Sequence, residues 1–116
     1  MIPIQIYGRL TRDPEISQNA NCTNMNVACD SSRMDDNHRP IPQFFRVSVF
    51  GKRGETCAKY LHKGDGVFVA GDFTANEYIG RDNQNHVSLN IRAYDIQFAG
   101  KAKREEENDD DDVFGG

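Results

Sequence analysis

An all-β domain with one helix is the fold class this sequence predicts. Three observations point there: five stretches of strand-like alternation or β-branched and aromatic enrichment, a single stretch with helical spacing, and turn-forming residues between them. Ile2, Ile4 and Ile6 alternate with Pro3, Gln5 and Tyr7, which predicts a first strand ending near Gly8. Asp13-Pro14 marks a turn. Asn24 to Asp30 (NMNVACD) predicts a second strand of weaker pattern, and Ser31 to Pro42 a polar, proline-bearing loop. FFRVSVF, from Phe44 to Phe50, is the third strand. In Arg53 to His62 (RGETCAKYLH), Cys57, Ala58, Tyr60 and Leu61 share one helical face, and Gly64 supplies a stop. Val67 to Tyr78 predicts a long strand that Gly71 bends or bulges. Ile79 to His86 is turn-rich, and Val87 to Phe98 is the last strand.

Three strands, a helix and two strands, in that order, match a five-stranded Greek-key barrel of the OB type. Counting elements alone leaves an SH3-like barrel or an α+β sheet open.

The 116 residues favour one domain, and the 37% apolar content places part of the chain outside its core. The net charge of -4 is unevenly spread. Residues 1–100 hold eleven Lys or Arg and eleven Asp or Glu, Lys101 to Arg104 form a short basic connector, and seven acids crowd into Glu105 to Asp112. Three segments follow: a domain over 1–100, a connector over 101–104 and an acidic tail over 105–116. The tail repels itself and is expected to be disordered. No apolar run approaches the roughly 18–20 residues that span a bilayer, and MIPIQIYGRL lacks the charged and apolar regions of a signal peptide. Three cysteines without a C-x-x-C pair suit free thiols in a reducing cytoplasm. A zinc site from Cys22, Cys29 and His38 matches no common spacing, so packing is the plainer role.

No catalytic constellation is legible. His38, His62 and His86 have no evident nucleophile partner, and neither a P-loop nor an H-E-x-x-H pattern occurs. The expectation is a protein without enzymatic activity, metal or cofactor.

FFRVSVF carries the informative pattern. Alternate side chains of a strand point to opposite faces, so Phe45, Val47 and Val49 form a core face. Phe44, Arg46, Ser48 and Phe50 form the other, where two rings flank a cation and a hydroxyl. Unpaired nucleic acid explains such a wet face: every base has a π-face to stack on a ring, and a guanidinium pairs with phosphate or stacks. Packing against a loop, a helix or a second subunit explains it equally well. Tyr78 shares strand parity with Thr74 and Asn76 and suits a further base platform, or a loop-covering ring. Arg9, Arg12, Lys52, Arg53, Lys63, Arg81 and Arg92 form a backbone track only if the fold gathers them.

The chain resembles the bacterial and phage single-stranded DNA-binding protein family in an ordered series: GRLTRDPE from Gly8, FFRVSVFGK from Phe44, CAKYLHKG from Cys57, VFVAG from Val67, then an acidic tail. The resemblance implies an OB fold, no enzyme activity and coating of single-stranded DNA in replication, recombination or repair. It implies a DNA face of Phe44, Arg46, Phe50 and Tyr78; the expectation is that Phe44, Phe50 and Tyr78 stack bases while Arg46, Arg9, Arg12, Lys52 and Lys63 contact the DNA backbone. It further implies a homo-oligomer, commonly a tetramer with a dimer as the alternative, whose first strands help form the dimer contact. Replication and repair proteins would dock on the tail residues Asp109, Asp110, Asp111, Asp112, Val113 and Phe114. Three departures stand out. Arg33 replaces a frequent aromatic, and Thr74, Asn76 and Glu77 replace basic residues before the fourth-strand aromatic. Val113-Phe114-Gly115-Gly116 lacks the usual proline and moves the carboxylate beyond the ring. An OB-type protein-interaction adaptor and an RNA-binding module remain rival readings.

Overall fold

The computed structural model describes residues 1–100, and the connector and acidic tail expected over 101–116 lie outside them. The element order is β1 (Pro3–Leu10), β2 (Glu15–Ser17), β3 (Cys22–Met34), β4 (Pro40–Phe50), α1 (Gly51–Tyr60), β5 (Gly66–Ile79) and β6 (Asn85–Gly100). One sheet runs β1-β5-β6-β4-β3-β2, and β1 returns to pair with β3 at Arg9↔Ala28 and Leu10↔Val27, closing an OB-type barrel. β4 and β6 are parallel; all other pairings are antiparallel.

Burial follows the alternation along β1, the inner part of β4 and the first half of β5. Val47 and Val49 of β4 meet Met25 and Val27 of β3, Val67 and Val69 of β5 and Ile91 of β6 in a core joined by Leu10, Cys57 and Leu61. Phe45 is partly buried against it and meets Phe73 edge-on, with ring centroids 6.5 Å apart. Asp65 ties the turn before β5 to the barrel: its carbonyl accepts from Leu10 N–H at 3.0 Å, and the neighbouring Gly64 N–H donates to Leu10 O at 2.8 Å.

Several boundaries differ from the sequence expectation. The barrel has a sixth strand, β2, which is three residues long and too short to show a period. Much of the expected loop from Ser31 to Pro42 is strand, because β3 and β4 extend into a hairpin arm. The Ser31 hydroxyl donates to Ile41 O at 2.7 Å, and Asp35 closes the turn by accepting from the N–H groups of Asn37 and Arg39 at 2.8 and 2.9 Å. α1 starts at Gly51 rather than Arg53, since glycine adopts the φ of 72° that turns the chain directly out of β4. Tyr60 is not on the packed face of the helix: Gly54, Cys57 and Leu61 face the barrel, and Tyr60 is half-exposed. Gly71 does mark a bulge, between Ala70 and Gly71, and a β-carbon there would lie 2.4 Å from Arg92 O.

Cys22 and Cys57 are buried, and burial pushes the thiols of Cys29 and Cys57 up, so both stay protonated. Among the described residues, no cluster of three or more His, Cys, Asp or Glu is placed to hold a metal ion, and no helix is long and apolar enough to cross a membrane.

Candidate nucleic-acid interface

Strand register assembles one continuous outer face. Because β4 alternates, Val47 and Val49 are sealed in the core, while Phe44 and Phe50 stay 58% and 42% exposed and Arg46 is exposed between them. Residues directly opposite in a ladder share a face, so the outward set of β4 extends to its neighbours. Arg46 lies opposite Asn26 on β3 and Asn90 on β6, and Asn90 lies opposite Thr74 on β5. The next row is Asn24, Ser48, Arg92 and Asp72. Counting from Thr74 by strand parity, Asn76 and Tyr78 continue the same face along β5, opposite Ser88 and His86. Phe44, Arg46, Phe50 and Tyr78 therefore lie on one side of the sheet. About 20 Å separates Phe44 from Phe50, at roughly 3.3 Å per residue.

The other cations expected to contact the backbone stand in different relations to this face, and register places only Arg9 of them on it. Arg9 pairs with Ala28, which is opposite Phe44. Arg12 leaves the barrel at the end of β1 and folds onto Asn26. With its amide oxygen turned to the guanidinium, Asn26 accepts from Arg12 Nε at 2.9 Å and Nη2 at 3.0 Å. Lys52 opens α1 beside Phe50 in a groove that Arg53, Thr56 and Phe98 also line. Lys63 sits in the turn after α1, where its N–H donates to the Asp13 carboxylate at 2.8 Å, in the loop that carries Arg12. Arg81 is exposed in the β5–β6 turn.

Acids on the same rows are few. Glu15 stands 4.0 Å from Arg12. Asp30 lies opposite Pro42 at the far end of β4. Asp72 accepts from Ile2 N–H at 2.8 Å, which occupies part of its charge.

Two contacts go beyond what the sequence pattern singled out. Arg92, one of seven scattered cations in the sequence, places its guanidinium carbon 4.8 Å from the centre of the Phe50 ring. Its register partner Ser48 is half-buried and donates to Asn24 Oδ1 at 3.1 Å, which keeps the strip between the rings low. His86, which has no evident nucleophile partner in the sequence, stacks on Tyr78 with centroids 5.4 Å apart and pairs with Asp82. Cross-strand position reveals both, through the β4–β6 register for Arg92 and the β5–β6 register for His86.

Fold and face together define the class first: a small OB-type barrel with rings and guanidinium groups arrayed on the outside of its sheet. The family follows from the chain itself. The profile of the Single-strand binding protein family matches residues 1–99, and the chain belongs to that family. It is 32% identical over 100 residues to a single-stranded DNA-binding protein of Xanthomonas campestris, covering 82% of this chain and 58% of that protein. It is 31% identical over 112 residues to single-stranded DNA-binding protein 2 of Chlorobaculum tepidum, covering 91% and 76%. The chain thus spans less than two thirds of the Xanthomonas relative. Among solved structures, a small single-stranded DNA-binding protein from Streptomyces coelicolor superposes with a TM-score of 0.72 over 84% of this chain and 94% of that one. At 22% identity, this bears on the fold.

Proposed function

We propose that this protein binds and coats single-stranded DNA without strong sequence preference; the names of its relatives describe them as single-stranded DNA-binding proteins. Phe44, Phe50 and Tyr78 stack bases; Arg46, Arg9, Arg12, Lys52 and Lys63 meet phosphates, and Arg92 joins them beside Phe50. No chemical step is involved: binding alone is the function. The observation that carries this reading is the register that puts Phe44, Arg46, Phe50 and Tyr78 on one open side of the sheet. Rings there gain about 1–3 kcal/mol per stacked base, whatever the base, and the guanidinium between them can pair with a phosphate.

The reading includes self-association, as a tetramer or a dimer. Its support is an exposed pair of rings: Tyr7 of β1 lies beside Phe68 of β5, centroids 4.9 Å apart and tilted by 44°, on the outside of the barrel. β1 also pairs on one side only until it reaches Arg9, which leaves an open edge over residues 3–8 for another copy. Residues 1–100 form the binding domain, and the acidic tail, with Val113 and Phe114, docks replication and repair proteins.

The test is titration of a labelled oligo-dT with the wild type and with the Phe44→Ala/Phe50→Ala double variant, followed by anisotropy. The double variant is expected to keep its fold and lose most of its affinity. Unchanged affinity rejects this face as the site.

A further inference from the structure

The turn that closes β5 on β6 is built more tightly than an exposed hairpin tip requires. Gly80 N–H donates to Gln84 O and Asn83 N–H to Gly80 O, both at 2.9 Å. Those bonds already fix the turn. The Asp82 carboxylate adds a second layer: it accepts from Gln84 N–H at 3.1 Å, and its two oxygens lie 3.0 and 3.1 Å from His86 Nε2. Hydrogen bonding from His86, then from Gln84, holds the Asp82 carboxyl below its usual range. An ionised carboxylate only accepts, so Nε2 carries the proton and the imidazole is held by one edge. The ring also lies against Gly80, where a β-carbon would approach Cδ2 to 2.6 Å. So seated, it stacks on Tyr78 with an interplanar angle of 25°.

An exposed tyrosine on a two-stranded ribbon ordinarily samples several side-chain rotamers. Here one face of the Tyr78 ring is covered by an imidazole that is itself fixed by Asp82 and Gly80, and Tyr78 remains 52% exposed. We propose that His86 is a positioning residue for base binding: clamped by Asp82, it fixes the Tyr78 ring so that the uncovered face is presented to a nucleobase. A bound base then forms the outer layer of a stack of base, phenol and imidazole. Ordering of the tyrosine precedes the arrival of DNA, so binding loses less side-chain freedom.

This inference rests on the DNA-binding reading, and the experiment separates the two. Oligo-dT affinity is measured for the wild type, His86→Gln, His86→Phe, Tyr78→Ala and Tyr78→Ala/His86→Gln, alongside Phe44→Ala/Phe50→Ala, with each fold checked by thermal melting. His86→Gln keeps a donor for Asp82 without a ring, and is expected to weaken binding by roughly three- to tenfold. His86→Phe keeps a ring but loses the bond to Asp82, and is expected to recover only part of that loss. In the Tyr78→Ala background, His86→Gln is expected to add nothing, because the ring it positions is gone. Wild-type affinity in His86→Gln, equal losses in the Gln and Phe variants, or a full additional loss in the Tyr78→Ala background each overturns the positioning role. If Phe44→Ala/Phe50→Ala also binds as the wild type does, this face is not the site, and if the wild type itself fails to bind oligo-dT, the DNA-binding reading fails. If that double variant loses affinity while His86→Gln does not, only the role of His86 falls.

Discussion

The barrel body and the β5–β6 arm use the same two strands in opposite ways. Below the Gly71 bulge, β5 alternates between core and solvent, with Val67 and Val69 sealed against Ile91 and Val47. Beyond it, residues 74–79 are all exposed, and even Ile79 and Val87 remain 68% and 55% accessible. Phe44 and Phe50 are held from behind by a packed strand, whereas Tyr78 is held only by its cross-strand neighbour and the turn. The difference teaches that an exposed ring can be held either by the core under it or by a partner beside it, and on the proposed reading both serve binding. Substitutions in the two regions should therefore separate stability from affinity.

Removing both body rings is the harshest way to break that contrast. Phe44→Ala/Phe50→Ala is expected to cost about 2–6 kcal/mol of oligo-dT binding, the summed loss of two stacking platforms, with little change in the urea midpoint. Ile91→Ala should do the reverse. It opens a cavity in the core and is expected to lower unfolding free energy by about 2–5 kcal/mol in urea titration, while the folded fraction binds DNA as before. Tyr78→Ala sharpens the comparison from the arm side: about 1–3 kcal/mol of binding is lost, and stability stays within about 0.5 kcal/mol because the ring is exposed. Arg46→Ala is subtler. Removing one phosphate contact is expected to flatten the slope of log affinity against log salt by about 0.7, which titrations at several salt concentrations measure.

The smallest effect is in the arm turn, and it depends on acid. The Asp82 carboxyl is depressed in the folded chain, so its contribution is present above the ordinary value of 3.8 and is lost as pH falls through the lower folded value. The imidazole resonances of His86, followed by NMR, should shift in that window, while core methyl resonances such as those of Val47 hold still.

The sequence made the body legible and the arm only partly so. FFRVSVF reports its own two faces because alternation is a local property, and the buried valines of β4 and β5 follow from it directly. β2 escaped because three residues cannot display a period, and the start of α1 was displaced because a glycine at positive φ has no sequence mark of its own. Tyr78 could be named from parity, but its coupling to His86 and Asp82 could not, since nothing in IGRDNQNH tells which turn residue faces the ring. Arg92 posed the same difficulty. Its place over Phe50 depends on a parallel pairing between β4 and β6, strands separated in the chain by a helix and another strand.

That guanidinium on Phe50 has a consequence for how long a strand stays put. The ring is already occupied on one side by a π partner before any nucleotide arrives. A base seeking that side must evict the arginine and recovers only the difference between the two contacts. Departure is eased in turn by the arginine swinging back. On the proposed reading, such a self-covering ring would favour exchange along a polymer over tight residence at one spot.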